Sequence, residues 1–242
     1  PIYLVKNNLS PAGIAMDVNK GPLEKAQEHI REEKLGGKIA TRLGNGLAPL
    51  EPGETDTVII AGMGGDLICK ILKAKPEFLI EGKEFILQPQ SEWFKVRRLL
   101  KEYHYQIEKE WFLKEDGKYY VIIKAEPAWT QPQRLKHQQP SIHEYIKEIS
   151  ETPANQAVSE KDMESIYEQY GKYLIETKNP VLKEYLKKEI TKKESIAAEL
   201  KQSIKEMESE ELSGKERGNI AKRQRRYQEI QKEIRDMRKA IG

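Results

Sequence analysis

Three short apolar runs in the first 65 residues end in residue types that bind ligands more readily than they pack. Ala12 to Asp17 closes on an acid, Lys38 to Leu43 is followed by Gly44-Asn45-Gly46, and Thr57 to Ala61 runs into Gly62-Met63-Gly64-Gly65. A carboxylate offers only acceptors, so Asp17 at the end of a strand suits two vicinal hydroxyls such as those of a ribose. A polar side chain followed by glycine, as at Asn45-Gly46, can meet an adenine amino group. Glycines at 62 and 64 let the backbone turn sharply and approach a ligand closely. A lone G-x-G-G also serves ordinary strand-to-helix turns; the three segments together point to an adenosine-bearing cofactor.

For these ends to converge they must lie on strands of one open sheet, where ligands sit outside the carboxyl ends. The pattern supplies such a sheet. Strands are predicted at 12–17, 38–43, 57–61 and 84–87, alternating with helices at 22–33, 66–72 and 93–103. The β-branched run Val58-Ile59-Ile60 reads as a strand covered on both faces. Pro1 to Asn8 reads as a helix whose preceding strand has been cut away. Asp116-Gly117, between runs at 106–114 and 118–125, signals a hairpin. The fold class is therefore α/β, a Rossmann-like, mostly parallel sheet with an antiparallel C-terminal hairpin, spanning residues 1–128.

Composition separates this half from the rest. The chain has 242 residues, of which 33% are charged and 38% hydrophobic, and the charge is concentrated after about residue 155. Residues 129–158, rich in Gln and Pro at their start, read as a linker. Residues 159–242 read as an α-helical domain. Ile220, Arg223, Tyr227, Ile230, Ile234, Met237 and Ile241 repeat at three and four, a heptad seam, and the turn at Ser213-Gly214 folds the two long helices into an antiparallel coiled coil within one chain. A monomer is expected.

The net charge of +3 names no partner, but ten Lys/Arg stand against four Asp/Glu between Lys215 and Lys239. Lys222, Arg223, Arg225 and Arg226 there, and Arg97 and Arg98 on the helix after the fourth strand, are the candidate phosphate contacts. Solvated coiled-coil flanks are also commonly basic. One cysteine, Cys69, excludes disulfides and a cysteine-rich metal site, and His29, His104, His137 and His143 lack ligand spacing. No metal is expected. No apolar run approaches membrane-spanning length, so a cytoplasmic protein is expected. Trp93 and Trp111 read as core anchors, and Asp66 as a helix cap.

The segments A-M-D-V-N-K-G-P-L near residue 15, R-L-G-N-G-L near 42, I-I-A-G-M-G-G near 59, L-Q-P-Q near 87 and E-D-G-K-Y-Y near 115 occur in the order that resembles the bacterial tRNA N1-methyltransferases acting on adenine 22. The resemblance implies a class I methyltransferase sheet, S-adenosylmethionine as cofactor and tRNA as partner. It assigns Asp17 and Val18 to ribose and adenine, Asn45, Gly46 and the adjoining Leu47 to the adenine edge, and Gly62, Met63 and Gly64 to the methionine side and the target base. Gln88, Pro89 and Gln90 would face the acceptor. It also implies a glycine-bearing loop with an Asp-His pair ahead of Pro1. Two rival readings are the same fold acting on another RNA base or a protein, and a non-catalytic RNA-binding or interaction module.

Overall fold

A computed structural model describes residues 1–128, 154–208 and 214–242. The linker expected at 129–158 falls mostly outside these residues, as do His137, His143 and Ser213.

Helix α1 (Ile2–Lys6) is followed by β1 (Gly13–Asp17), α2 (Lys20–Glu32) and β2 (Ile39–Leu43). β1 and β2 pair in parallel from Gly13↔Ile39 to Asp17↔Leu43, with α2 as the crossover. Leu23 and Ile30 form the buried side of α2, and Ile30 meets Val5 and Ile39 in a small apolar cluster. The second sheet starts with β3 (Thr57–Met63), α3 (Gly65–Lys73), α4 (Pro76–Ile80) and β4 (Glu84–Pro89), followed by α5 (Trp93–Glu102), β5 (Tyr105–Glu115) and β6 (Lys118–Pro127). Its order is β3-β4-β6-β5. β3 and β4 run parallel, and β6 is antiparallel to both β4 and β5. Asp116 and Gly117 both take positive φ, 47° and 76°, the geometry of a two-residue hairpin turn whose twist matches its strands.

Two expectations change. The four parallel strands form two separate pairs, with no strand pairing between the sheets among the described residues. And β3 is not covered on both faces: Val58 and Ile60 are buried while Ile59 is 51% exposed. A continuous apolar run carries no periodicity to tell one covered face from two. Helix α4 has only five residues, too short for an apolar period, and its one sequence signal is Pro76 at the first turn.

The tail comprises α6 (Ala154–Tyr170), α7 (Lys172–Glu176), α8 (Pro180–Glu208) and α9 (Gly214–Ile241). Gly171, at φ 91°, separates α6 from α7. Asn179 starts α8, its Oδ1 accepting from the N–H groups of Val181 and Leu182 at 3.0 Å each, with Pro180 at the first helical position. The Lys193–Glu233 ion pair and the Arg223–Ser203 hydrogen bond, in which the α9 partner number falls as the α8 number rises, fix α8 and α9 as antiparallel. Ile220, Ile230, Ile234 and Met237 of the seam are buried. Ile166, Leu174, Leu182 and Leu186 of the tail share one apolar cluster with Leu100, Phe112 and Val121 of the sheet half, so burial is continuous from one half to the other.

Candidate functional site

The carboxyl ends of β3 and β4 are stitched together through their loops. The β3–β4 register shifts between Ala61 and Met63, leaving Gly62 in a bulge at φ 79°, where a side chain is disfavoured. Its N–H donates to Gln88 Oε1 at 2.7 Å. The Gln90 N–H donates to the Met63 carbonyl at 2.8 Å, and the Gly65 N–H to the Ser91 carbonyl at 2.9 Å. Gly65 is obligatory for a different reason: a Cβ there would stand 2.6 Å from the Glu92 carbonyl oxygen. A Cβ on Gly62 would meet nothing within 4 Å. The bulge therefore faces open space, as a backbone that receives a ligand must.

The other two strand ends meet each other and α3. The Gly44 N–H donates to the Asp17 carbonyl at 3.0 Å, closing β1 against the turn after β2. That turn rests on α3, with Ile71 Cγ2 2.8 Å from where a Cβ on Gly46 would be. Asp17 Oδ1 accepts from the Asn19 N–H at 2.7 Å, which orients the carboxylate and leaves its second oxygen for a ligand. Val18, at 61% exposed, presents an apolar surface beside it, and Asn45 is exposed. Leu47 differs from expectation. It is buried in the main core, because the turn must anchor itself under α3, so its side chain is not available to a cofactor.

The three residues expected to face an acceptor play different parts. Gln88 turns its amide inward to hold the Gly62 bulge, and its Nε2 is buried without a partner. Pro89 is buried, and Gln90 is exposed. Asp66 does not cap α3; Gly64 holds that position, with no side-chain cap. Instead Asp66 pairs with Lys70 at 2.7 Å and Lys95 at 3.0 Å. These bonds, that to Lys70 foremost, hold its carboxyl down at about 2. Lys95 also pairs with Glu92 at 2.5 Å, so its bond to Asp66 is a second tie between the segments after β3 and β4. Nothing in the sequence marks Lys95, since Asp66 lies 29 residues away.

Arg97 is not a phosphate contact. It is buried, and its Nε donates to Glu110 Oε1 at 2.8 Å. An arginine one helical turn from the half-buried Trp93 faces the core with it, and the matching acid on β5 together with two tail carbonyls makes that tolerable. Burial pushes the Glu110 carboxyl up, and Arg97 opposes the rise. Arg98 is exposed and paired with Glu168 at 3.0 Å. On α9, Arg223 donates to Ser203 and Arg226 pairs with Glu229 and Glu233, whereas Lys222 and Arg225 are exposed and carry no ion pair among the described residues. Lys232 and Arg235, which no sequence pattern distinguishes from their neighbours, share that condition. A cleft of about 420 Å³ lies elsewhere, against α6, α8 and α9, and one of about 210 Å³ between α2 and β2 reaches Leu43, the register partner of Asp17.

Residues 1–153 match the family model described as tRNA (adenine(22)-N(1))-methyltransferase. The chain belongs to that family. The match covers the sheets and their strand-end loops, and residues from 154 onward lie beyond it. A Bacillus subtilis (strain 168) tRNA (adenine(22)-N(1))-methyltransferase is 36% identical over 126 residues, which are 52% of this chain and 53% of that protein. The chain thus spans about half the length of this curated relative. Among solved structures, the B. subtilis m1A22 tRNA methyltransferase aligns with a TM-score of 0.68 at 23% identity, over 100% of this chain and 87% of that one. A Streptococcus pneumoniae protein in complex with S-adenosyl-L-methionine aligns at 0.65 and 24% identity, over 100% and 86%. At these identities the two structures establish the Rossmann-like methyltransferase fold of this chain.

Proposed function

We propose that this protein transfers a methyl group from S-adenosylmethionine to N1 of adenine 22 in tRNA. The observation that carries the proposal is the pair of stitched loops after β3 and β4, which sets an open glycine bulge beside an exposed carboxamide at the carboxyl edge of a methyltransferase sheet. Family membership narrows the acceptor to tRNA adenine.

The residues present fit the cofactor. The free oxygen of Asp17 would accept from ribose hydroxyls, Val18 would cover one adenine face, Asn45 would meet the adenine edge, and the Gly62–Gly64 backbone would line the methionyl chain. When bound, the cofactor supplies an electrophilic methyl on a sulfonium. Adenine N1 carries an in-plane lone pair and is neutral near neutral pH, so the protein need not create a stronger nucleophile. What it must do is hold N1 in line with the methyl, and alignment of that kind accounts for much of the barrier lowering in bimolecular steps. Gln90 would orient the base, while Gln88 and Lys95 hold the loop that carries it. The base must leave its stack to reach this edge.

The tail would grip the RNA through the unpaired cations of α9. Lys222, Arg225, Lys232 and Arg235 lie opposite the buried seam, and Lys222 to Arg235 spans about 20 Å of helix, a length suited to several phosphates. Because α8 covers that seam within the same chain, a monomer suffices. The test is methyl transfer to a tRNA transcript, with N1-methyladenosine at position 22 identified by mass spectrometry. A transcript carrying guanine at position 22 should stay unmodified. Methylation of a different base, or none, would replace this reading with one of its rivals.

A further inference from the structure

We propose that Arg97 is a positioning residue through which the helical tail sets the placement of the acceptor loop, an inference that rests on the acceptor reading of Gln88–Gln90. Arg97 touches neither that loop nor the cofactor edge. Its Nη1 donates to the carbonyls of Glu168 and Gln169, at 3.0 Å each. These carbonyls belong to the last turn of α6, where helical partners run out, and they run out because Gly171 breaks the helix. Gly171 is required in turn by the ion pair. A methyl on it would overlap Glu110 Oε2 and stand 2.9 Å from Arg97 Nη2. Arginine, acid and helix break thus form one junction between α5, β5 and the tail.

Stability alone does not explain such a junction. A buried ion pair can usually be replaced by apolar residues of similar volume at no loss, so its value lies in fixing position. What it fixes is α5. One turn before Arg97, Trp93 packs edge-on against Phe112 at 5.4 Å and against Tyr185 of α8 at 5.8 Å. Both contacts therefore hold α5 against β5 and the tail. The helix begins directly after Ser91 and Glu92, the residues bonded to the Gly65 N–H and to Lys95. A shift of α5 on the tail would carry Gln90 with it, and near-attack geometry tolerates about 1 Å before rates fall by about a hundredfold.

The decisive variant is the double replacement Arg97→Met with Glu110→Leu, which removes the bonds while leaving the junction filled and uncharged. The expected result is a melting temperature near the parent's, cofactor and tRNA affinities within about twofold, and a single-turnover methylation rate lower by at least about tenfold. Arg97→Lys, which cannot serve Glu110 and two carbonyls at once, should lie between the two, and it is read in the same way if the double variant does not fold. A folded variant with the parent's turnover overturns the proposal, as does a loss confined to KM for tRNA. Normal turnover in both Gln88→Ala and Gln90→Ala would instead remove the acceptor reading. An impaired Gln90→Ala beside a fully active Arg97→Met/Glu110→Leu variant would remove only the positioning role of the junction.

Discussion

The Gly62 N–H and the Gln88 carboxamide oxygen meet at 2.7 Å across the ends of two parallel strands, and this bond divides the labour between two glutamines that look alike in sequence. Gln88 holds the Gly62 bulge, and Gln90 carries the exposed amide. Gln88→Ala should therefore weaken S-adenosylmethionine binding and slow methylation together, because the Gly62 N–H loses its acceptor. Gln90→Ala should leave cofactor affinity unchanged and lower kcat/KM for tRNA by about tenfold or more, the scale of losing a group that aligns the reactant. Calorimetry with the cofactor and steady-state methylation separate the two. Equal cofactor losses in both variants would contradict the division.

Gly62 and Gly46 are expected to respond differently to the same substitution. Both have positive φ, 79° and 56°, so alanine costs about 1–2 kcal/mol of backbone strain at either. At Gly62 the added methyl meets only open space, whereas at Gly46 it meets Ile71. Gly46→Ala should lower the melting temperature further. Gly62→Ala should lose more cofactor affinity than its small stability change explains, since its methyl enters the space offered to the ligand. A Gly62→Ala protein binding cofactor normally would mean that the bulge does not line the site.

Much of this arrangement is legible in the residues. Asp17, Asn45 and Gly62–Gly64 can be placed at strand ends because glycine and short apolar runs mark such ends locally, and the turn at Asp116-Gly117 announces β5 and β6 for the same reason. What stays hidden depends on partners far along the chain. Arg97 reads as a surface cation until Glu110 and the end of α6 are brought to it, and Leu47 reads as part of a polar turn until α3 covers it. The exposure of Ile59 is equally out of reach, since the number of covered faces is a property of neighbouring elements.

On α9 the expected cations separate by partner. Lys222→Gln, Arg225→Gln, Lys232→Gln and Arg235→Gln combined should weaken tRNA binding and flatten its dependence on salt, by about 0.7–0.9 in log–log slope for each phosphate no longer neutralised. Arg223→Gln with Arg226→Gln should change the slope less, because those side chains already face Ser203, Glu229 and Glu233. Cofactor affinity should not move in either set. An unchanged salt slope in the fourfold variant would place the RNA on another surface.

Glu184 gives the junction between α8 and the hairpin a dependence on acid. It accepts from Lys114 Nζ at 2.6 Å and from the Tyr119 hydroxyl at 3.1 Å, and pairs with Lys188 at 3.0 Å. These partners, Lys114 foremost, hold its carboxyl down from 4.5 to about 2. The folded protein thus releases this proton more readily than the unfolded chain. Its stabilisation is complete above pH 4.5, declines as pH falls through that value, and is gone below about 2. Because the group is exposed, solvent screens it and the effect should be modest. Glu184→Gln should therefore melt below the parent at neutral pH, with the gap narrowing as the two are compared at successively lower pH through that window. A gap that widened on acidification would show that Glu184 is not held ionised by these contacts.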